Sequence, residues 1–106
     1  MRTYNQWMAL TDRQKKHLRR LGHALHPVVL VGQRGLTANV TIELGRALQD
    51  HELVKVRARV GAREIRDSVL ATLAADTGSE LVSQIGNVGL FYKKNNKLNK
   101  ILLPDS

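Results

Sequence analysis

Apolar residues recur along this chain with a period that switches between helical and extended, and each switch marks an element. Thr11-Asp12-Arg13-Gln14 has the form of a capping box, with Thr11 as N-cap, Gln14 reaching back and Asp12 complementing the helix dipole. A first helix is predicted from there to about Ala24, with Leu18, Leu21 and Leu25 as its apolar stripe. Pro27 drives His26 out of helical geometry, and Val28 to Val31 reads as a short buried strand. From Thr37, as N-cap, a second helix carries Val40, Leu44, Ala47 and Leu48 on one face and fades near His51. Gly45 within it suggests close packing, because glycine costs a helix interior about 1 kcal/mol relative to alanine.

From Leu53 to Val60 the period falls to two. Val54, Val56, Ala58 and Val60 share one face and Lys55, Arg57 and Arg59 the other, the clearest strand in the chain. A third helix is predicted from Arg63 to Asp76 with Ile65, Val69 and Leu73 inward, stopped at Thr77-Gly78 by a left-handed glycine cap. Two strands, Glu80 to Ile85 and Val88 to Lys93, flank Gly86-Asn87, a hairpin turn with glycine first. Phe91 and Tyr92 on the last strand are expected to pack in the core rather than to serve as a stacking platform.

The predicted order is helix, strand, helix, strand, helix, strand, strand: an α/β fold in one small domain. Right-handed crossovers with a closing hairpin imply a mixed four-stranded sheet with three helices. Residues 1–10 read as a lead-in, 11–94 as the domain and 95–106 as a tail, whose Ile101-Leu102-Leu103-Pro104 is apolar enough to dock back or add a strand.

Charge narrows the function. The 106 residues hold 17 Lys and Arg against 9 Asp and Glu, a net charge of +8 that points to an anionic partner. No apolar run reaches the roughly 18 residues of a membrane span, and the helices have their apolar faces committed to a core, so nucleic acid is favoured over a membrane surface. The absence of cysteine removes disulfides and thiolate sites and fits a reducing, cytoplasmic setting.

Between the first strand and the second helix stands Gly32-Gln33-Arg34-Gly35. Glycine at both ends lets backbone approach another polymer closely and tolerates positive φ, while the N–H groups of the following helix, opening at Thr37, favour an anion. Arg34 supplies a cation and Gln33 an amide, so a nucleic-acid phosphate is the expected ligand. Lys15, Lys16, Arg19 and Arg20 on the first helix, with Lys55, Arg57 and Arg59 on the basic strand, are the candidate supporting contacts.

Three blocks carry a family resemblance: Lys16-His17-Leu18-Arg19-Arg20-Leu21, then His26 through Thr37, then His51-Glu52-Leu53-Val54-Lys55-Val56-Arg57. In content and order they resemble the CRM domain, and in particular the stand-alone bacterial YhbY-like proteins, over about Thr11 to Lys93. The resemblance implies an RNA-binding module shaped like the C-terminal domain of translation initiation factor three. It implies association with ribosomal RNA in precursors of the large subunit, and an RNA-contacting loop at Gly32, Gln33, Arg34 and Gly35. The chain departs from the family pattern at His26, where a lysine is common, and at Gly22, where alanine is usual.

No nucleophile–base–orienter set and no phosphate-binding Gly-Lys-Ser/Thr sequence is present, so neither catalysis nor a cofactor is expected. His23 and His26 flank a helix end broken by Pro27 and lack a completing ligand, so a metal is not expected either. The expected state is a monomer bound to RNA, with ribosomal proteins as further candidate partners. The alternatives are a basic module that docks on ribosomal or other acidic proteins, and, within the family, a group II intron splicing factor.

Overall fold

A computed structural model describes residues 9–98 and 100–105, so most of the N-terminal lead-in lies outside the described residues. The elements follow the predicted order: α1 (Asp12–Gly22), β1 (Pro27–Val31), α2 (Ala38–His51), β2 (Leu53–Ala58), α3 (Arg63–Thr77), β3 (Glu80–Ile85) and β4 (Val88–Tyr92). The capping box forms in both directions: Gln14 N–H donates to Thr11 Oγ1 at 3.1 Å, and Thr11 N–H donates to Gln14 Oε1 at 3.0 Å. Gly78 ends α3 in the left-handed conformation, and Gly86 opens the hairpin turn at φ 59°.

The sheet order is β1-β2-β4-β3. β1 and β2 are parallel, joined through α2, whereas β4 is antiparallel to both its neighbours. The α3 crossover therefore carries the chain one strand beyond β2, and the tight turn at Gly86-Asn87 brings β4 back into the gap.

Each sheet face has its own core. On one, α2 and α3 cover Val29, Val31, Val54, Val56, Ala58 and Phe91. On the other, α1 lies over β2, β3 and β4, and Leu18, Leu53, Val82, Leu90 and Tyr92 pack with Leu10, Leu25, Ile101 and Leu103. Phe91 and Tyr92 are both buried, one in each core, so neither offers a base-stacking platform.

Two of the predicted stripes are rotated. In α1 the buried pair is Leu18 and Gly22, and Leu21 is 39% exposed. Gly22 lets the helix sit directly on β4: a Cβ there would lie 2.9 Å from Leu90 Cδ2. In α3 the inward residues are Leu70, Leu73 and Thr77, because the helix is wedged between α2 and β3, and Ile65 is left 53% exposed. Gly45 marks no close packing, since no atom lies within 4 Å of where its Cβ would stand. Gly45→Ala is accordingly expected to stabilise the protein by about 1 kcal/mol, read as a rise of several degrees in thermal midpoint.

The C-terminal segment is held by Glu52, a residue whose role the periodicity gave no hint of. Glu52 closes α2 at φ 65°, a left-handed position, and is fully buried. Its carboxylate accepts three backbone N–H bonds, from Asn95 at 2.7 Å, Lys100 at 2.9 Å and Ile101 at 3.1 Å. Its main chain is also engaged, donating to the Leu48 carbonyl and accepting from Lys93 N–H. Ile101 and Leu103 then pack on the α1 side of the sheet, and Gln14 Nε2 donates to the Pro104 carbonyl at 2.9 Å. The segment docks by these hydrogen bonds and by side-chain packing, and its described residues add no strand. Burial, reinforced by the nearby Glu52 charge, raises the Tyr92 phenol above its ordinary 10.0. The phenol proton is thus held more tightly in the native state, a contribution fully present below pH 10.0 and lost as pH rises from there through the raised value.

Candidate nucleic-acid interface

The glycine loop is a single hydrogen-bonded turn. Gly35 N–H donates to the Gly32 carbonyl at 2.9 Å, leaving Gln33 and Arg34 exposed at the tip. Of the two glycines only Gly35 uses left-handed freedom, at φ 76°. Gly32 has no positive φ, and no atom lies within 4 Å of a Cβ built on it, so the chain's own packing does not require glycine there. Thr37 caps α2, its Oγ1 accepting from Val40 N–H at 3.3 Å, and no acidic residue occupies the first turn. The helix start therefore keeps its positive end unopposed by its own side chains.

The loop leaves the C-terminal end of β1. Arg59 N–H donates to the Val31 carbonyl at 2.8 Å, which places the end of the basic strand beside the loop. Lys55 and Arg57 lie further back along β2, both half-buried on the α1 side. Arg57 Nε is shielded from solvent and has no hydrogen-bond partner among the described residues.

The cations of α1 do not form one face. Lys15 turns to Glu80 in an ion pair of 3.5 Å and is drawn toward β3. Lys16 and Arg20, with Arg13 and His17, line a groove of about 510 Å³ whose far wall is Leu102, Leu103 and Pro104 of the docked tail. Arg19 instead joins His23, Lys55 and Arg57 around a cleft of about 290 Å³ over Gly22 and Leu90. The spacing of a helix separates these sets: positions 13, 16, 17 and 20 share one side, and 15 and 19 flank the buried Leu18.

Three residues of these clefts, Arg13, His17 and His23, were not among the predicted contacts. His17 stands one helical turn from Arg20 and Arg13 two, so both were legible from the helix alone. Arg63 and Arg66, at the start of α3, line a further hollow with Gln84 and Gly86. Their proximity to the β3–β4 turn depends on strand order, so no local signal marked them.

A short glycine turn between strand and helix, beside cations that converge on one side of a sheet, gives this α/β domain the features of a small nucleic-acid-binding module. The chain belongs to the CRS1 / YhbY (CRM) domain family, whose pattern matches residues 10–93. It is 48% identical over 95 residues to a protein of Pseudomonas aeruginosa named a probable RNA-binding protein, the match spanning 90% of this chain and 91% of that one. An RNA-binding protein of Haemophilus influenzae is 36% identical over 90% of this chain and 95% of its own length. A Bacillus subtilis protein, also named a probable RNA-binding protein, is 35% identical over 90% and 99%. The solution structure of a Staphylococcus aureus protein, described as a candidate RNA binder, superposes with a TM-score of 0.79 at 31% identity, covering 91% of this chain and all of that one. These relatives and the solved structure are named for RNA binding rather than for a reaction. Among the described residues no helix is long and apolar enough to cross a membrane.

Proposed function

We propose that this protein binds structured ribosomal RNA in precursors of the large ribosomal subunit, with Gly32 to Gly35 and the surrounding cations as its contacts. The observation that carries this reading is Gly32. Neither its dihedral angle nor its surroundings call for glycine, so the small residue serves something outside the chain, and a backbone approaching Arg34 and the start of α2 fits. Arg19, Lys55, Arg57 and Arg59 have no carboxylate partner among the described residues, so their charge is available to phosphate. The kinship with stand-alone YhbY-like proteins supports the ribosomal target.

Sedimentation of the protein in cell lysate through a sucrose gradient, with and without ribonuclease, tests the target. Co-migration with precursor large subunits that disappears after digestion is the expected result. Association that persists after digestion identifies docking on ribosomal proteins instead, and a peak at the top of the gradient removes the ribosome as target. Because counterion release drives phosphate binding, affinity for purified ribosomal RNA should fall on the order of a thousandfold between 50 and 200 mM salt if about six phosphates are engaged. A flat salt response rules out the phosphate mechanism.

A further inference from the structure

β1 is an edge strand, and α1 lies chiefly over the other three strands of the sheet. Val29 and Val31 face the core under α2, so Val28 and Leu30 project to the other side, where they are 63% and 56% exposed. The same alternation leads to Gly32 at the loop. Leu30 pairs directly with Arg57, and Pro27 with Lys55, so an apolar rail on β1 runs beside a basic rail on β2 toward the glycine turn.

Bare branched aliphatics on a sheet edge carry a risk of edge-to-edge association, and they call for an occupant. Beside Lys55, Arg57 and Arg59, in a chain of net charge +8, the complementary occupant is a polyanion that also offers flat apolar faces. Paired RNA hides its base faces in the stack and presents phosphate and ribose, whereas unpaired nucleotides present both the base face and the phosphate. We infer that this strip takes a short unpaired segment of the bound RNA, with bases laid on Val28 and Leu30 and their phosphates on Lys55 and Arg57. The inference rests on the RNA-binding reading above and adds to it a preference for bulged or looped RNA over continuous duplex.

The test compares two hairpins, one fully paired and one identical but for a three-uridine bulge, binding to the full-length protein and to the double variant Val28→Thr, Leu30→Thr. Threonine suits an exposed strand and changes no charge, so fold and salt dependence should be retained. The expected result is at least a tenfold preference of the parent protein for the bulged hairpin, falling below threefold in the variant with affinity for the paired hairpin unchanged. Equal binding of both hairpins by the parent protein overturns the strip and leaves RNA binding intact, whereas binding of neither overturns both. A variant that keeps the tenfold preference also overturns it. So does a dimer of the parent protein that the variant abolishes, since the strip would then be a self-contact. Should the variant not fold, photocrosslinking of 4-thiouridine placed in the bulge decides: crosslinks to the β1 peptide are expected, and crosslinks confined elsewhere refute the assignment.

Discussion

Glu52→Ala is expected to lower the thermal midpoint by more than about 10 °C and to release the segment from Asn95 onward. Three backbone N–H groups converge on this one buried carboxylate, and each hydrogen bond to a charged acceptor contributes roughly 1.5–3 kcal/mol. Alanine removes the acceptor and leaves the three donors to find water or other partners. A loss of about 3–5 kcal/mol is reasonable after allowing for non-additivity, and a domain near this size shifts by about 4–8 °C per kcal/mol. The left-handed backbone at position 52 burdens glutamate and alanine alike, so it largely cancels from the comparison. Glu52→Gln should fall between the two, because its amide keeps one acceptor oxygen but turns an NH₂ toward N–H donors. Calorimetry gives the shift, and hydrogen exchange at Asn95, Lys100 and Ile101 shows whether the segment has let go. A change of less than about 3 °C with protection retained contradicts the anchoring role. The groove that holds Arg13, Lys16 and Arg20 has the docked tail as its far wall, so release of the tail should also open that groove.

A carboxylate in the glycine loop is expected to cost more than tenfold in RNA affinity without disturbing the fold. Gly32→Asp is the cleaner probe, since a Cβ at that position meets open space and the backbone needs no left-handed angle. Gly35→Asp puts a side chain at φ 76°, a strain of about 1–2 kcal/mol that aspartate bears better than most residues. It should abolish binding at moderate salt while the circular dichroism spectrum is kept. Each substitution sets a negative charge and added bulk where a phosphate backbone approaches the start of α2. Gly32→Ser, which adds bulk without charge, should have a smaller effect, separating steric from electrostatic loss. Full RNA binding by a folded Gly32→Asp and a folded Gly35→Asp moves the contact away from the loop.

Which parts of this molecule were legible beforehand follows from the range of the forces involved. The Thr11 capping box, the Gly78 cap, the Gly86 turn and the alternation of β2 depend on bonds within a few residues, and residue identity alone specifies them. The placement of a glycine turn between β1 and α2 belongs to the same class. Leu21, Ile65 and Gly45 were misread because periodicity says that a helix has an apolar side but not which residues along it meet a neighbour. The choice of Gly22 over Leu21 came from the close seat of α1 on Leu90, set by a strand some 70 positions away. Long-range order gave the two sets of α1 cations their separate cleft walls, inserted β4 beside β2 and drew Lys15 to Glu80. Glu52 shows the limit best. Its sequence neighbourhood reads as a polar helix end, and only the returning chain, bringing three N–H donors from more than 40 residues downstream, makes burial of its carboxylate favourable. Local chemistry thus determined the elements, their caps and the glycine turn, while tertiary structure decided which faces are buried, which cations stand together and which strand face stays open, because those depend on partners that sequence distance conceals.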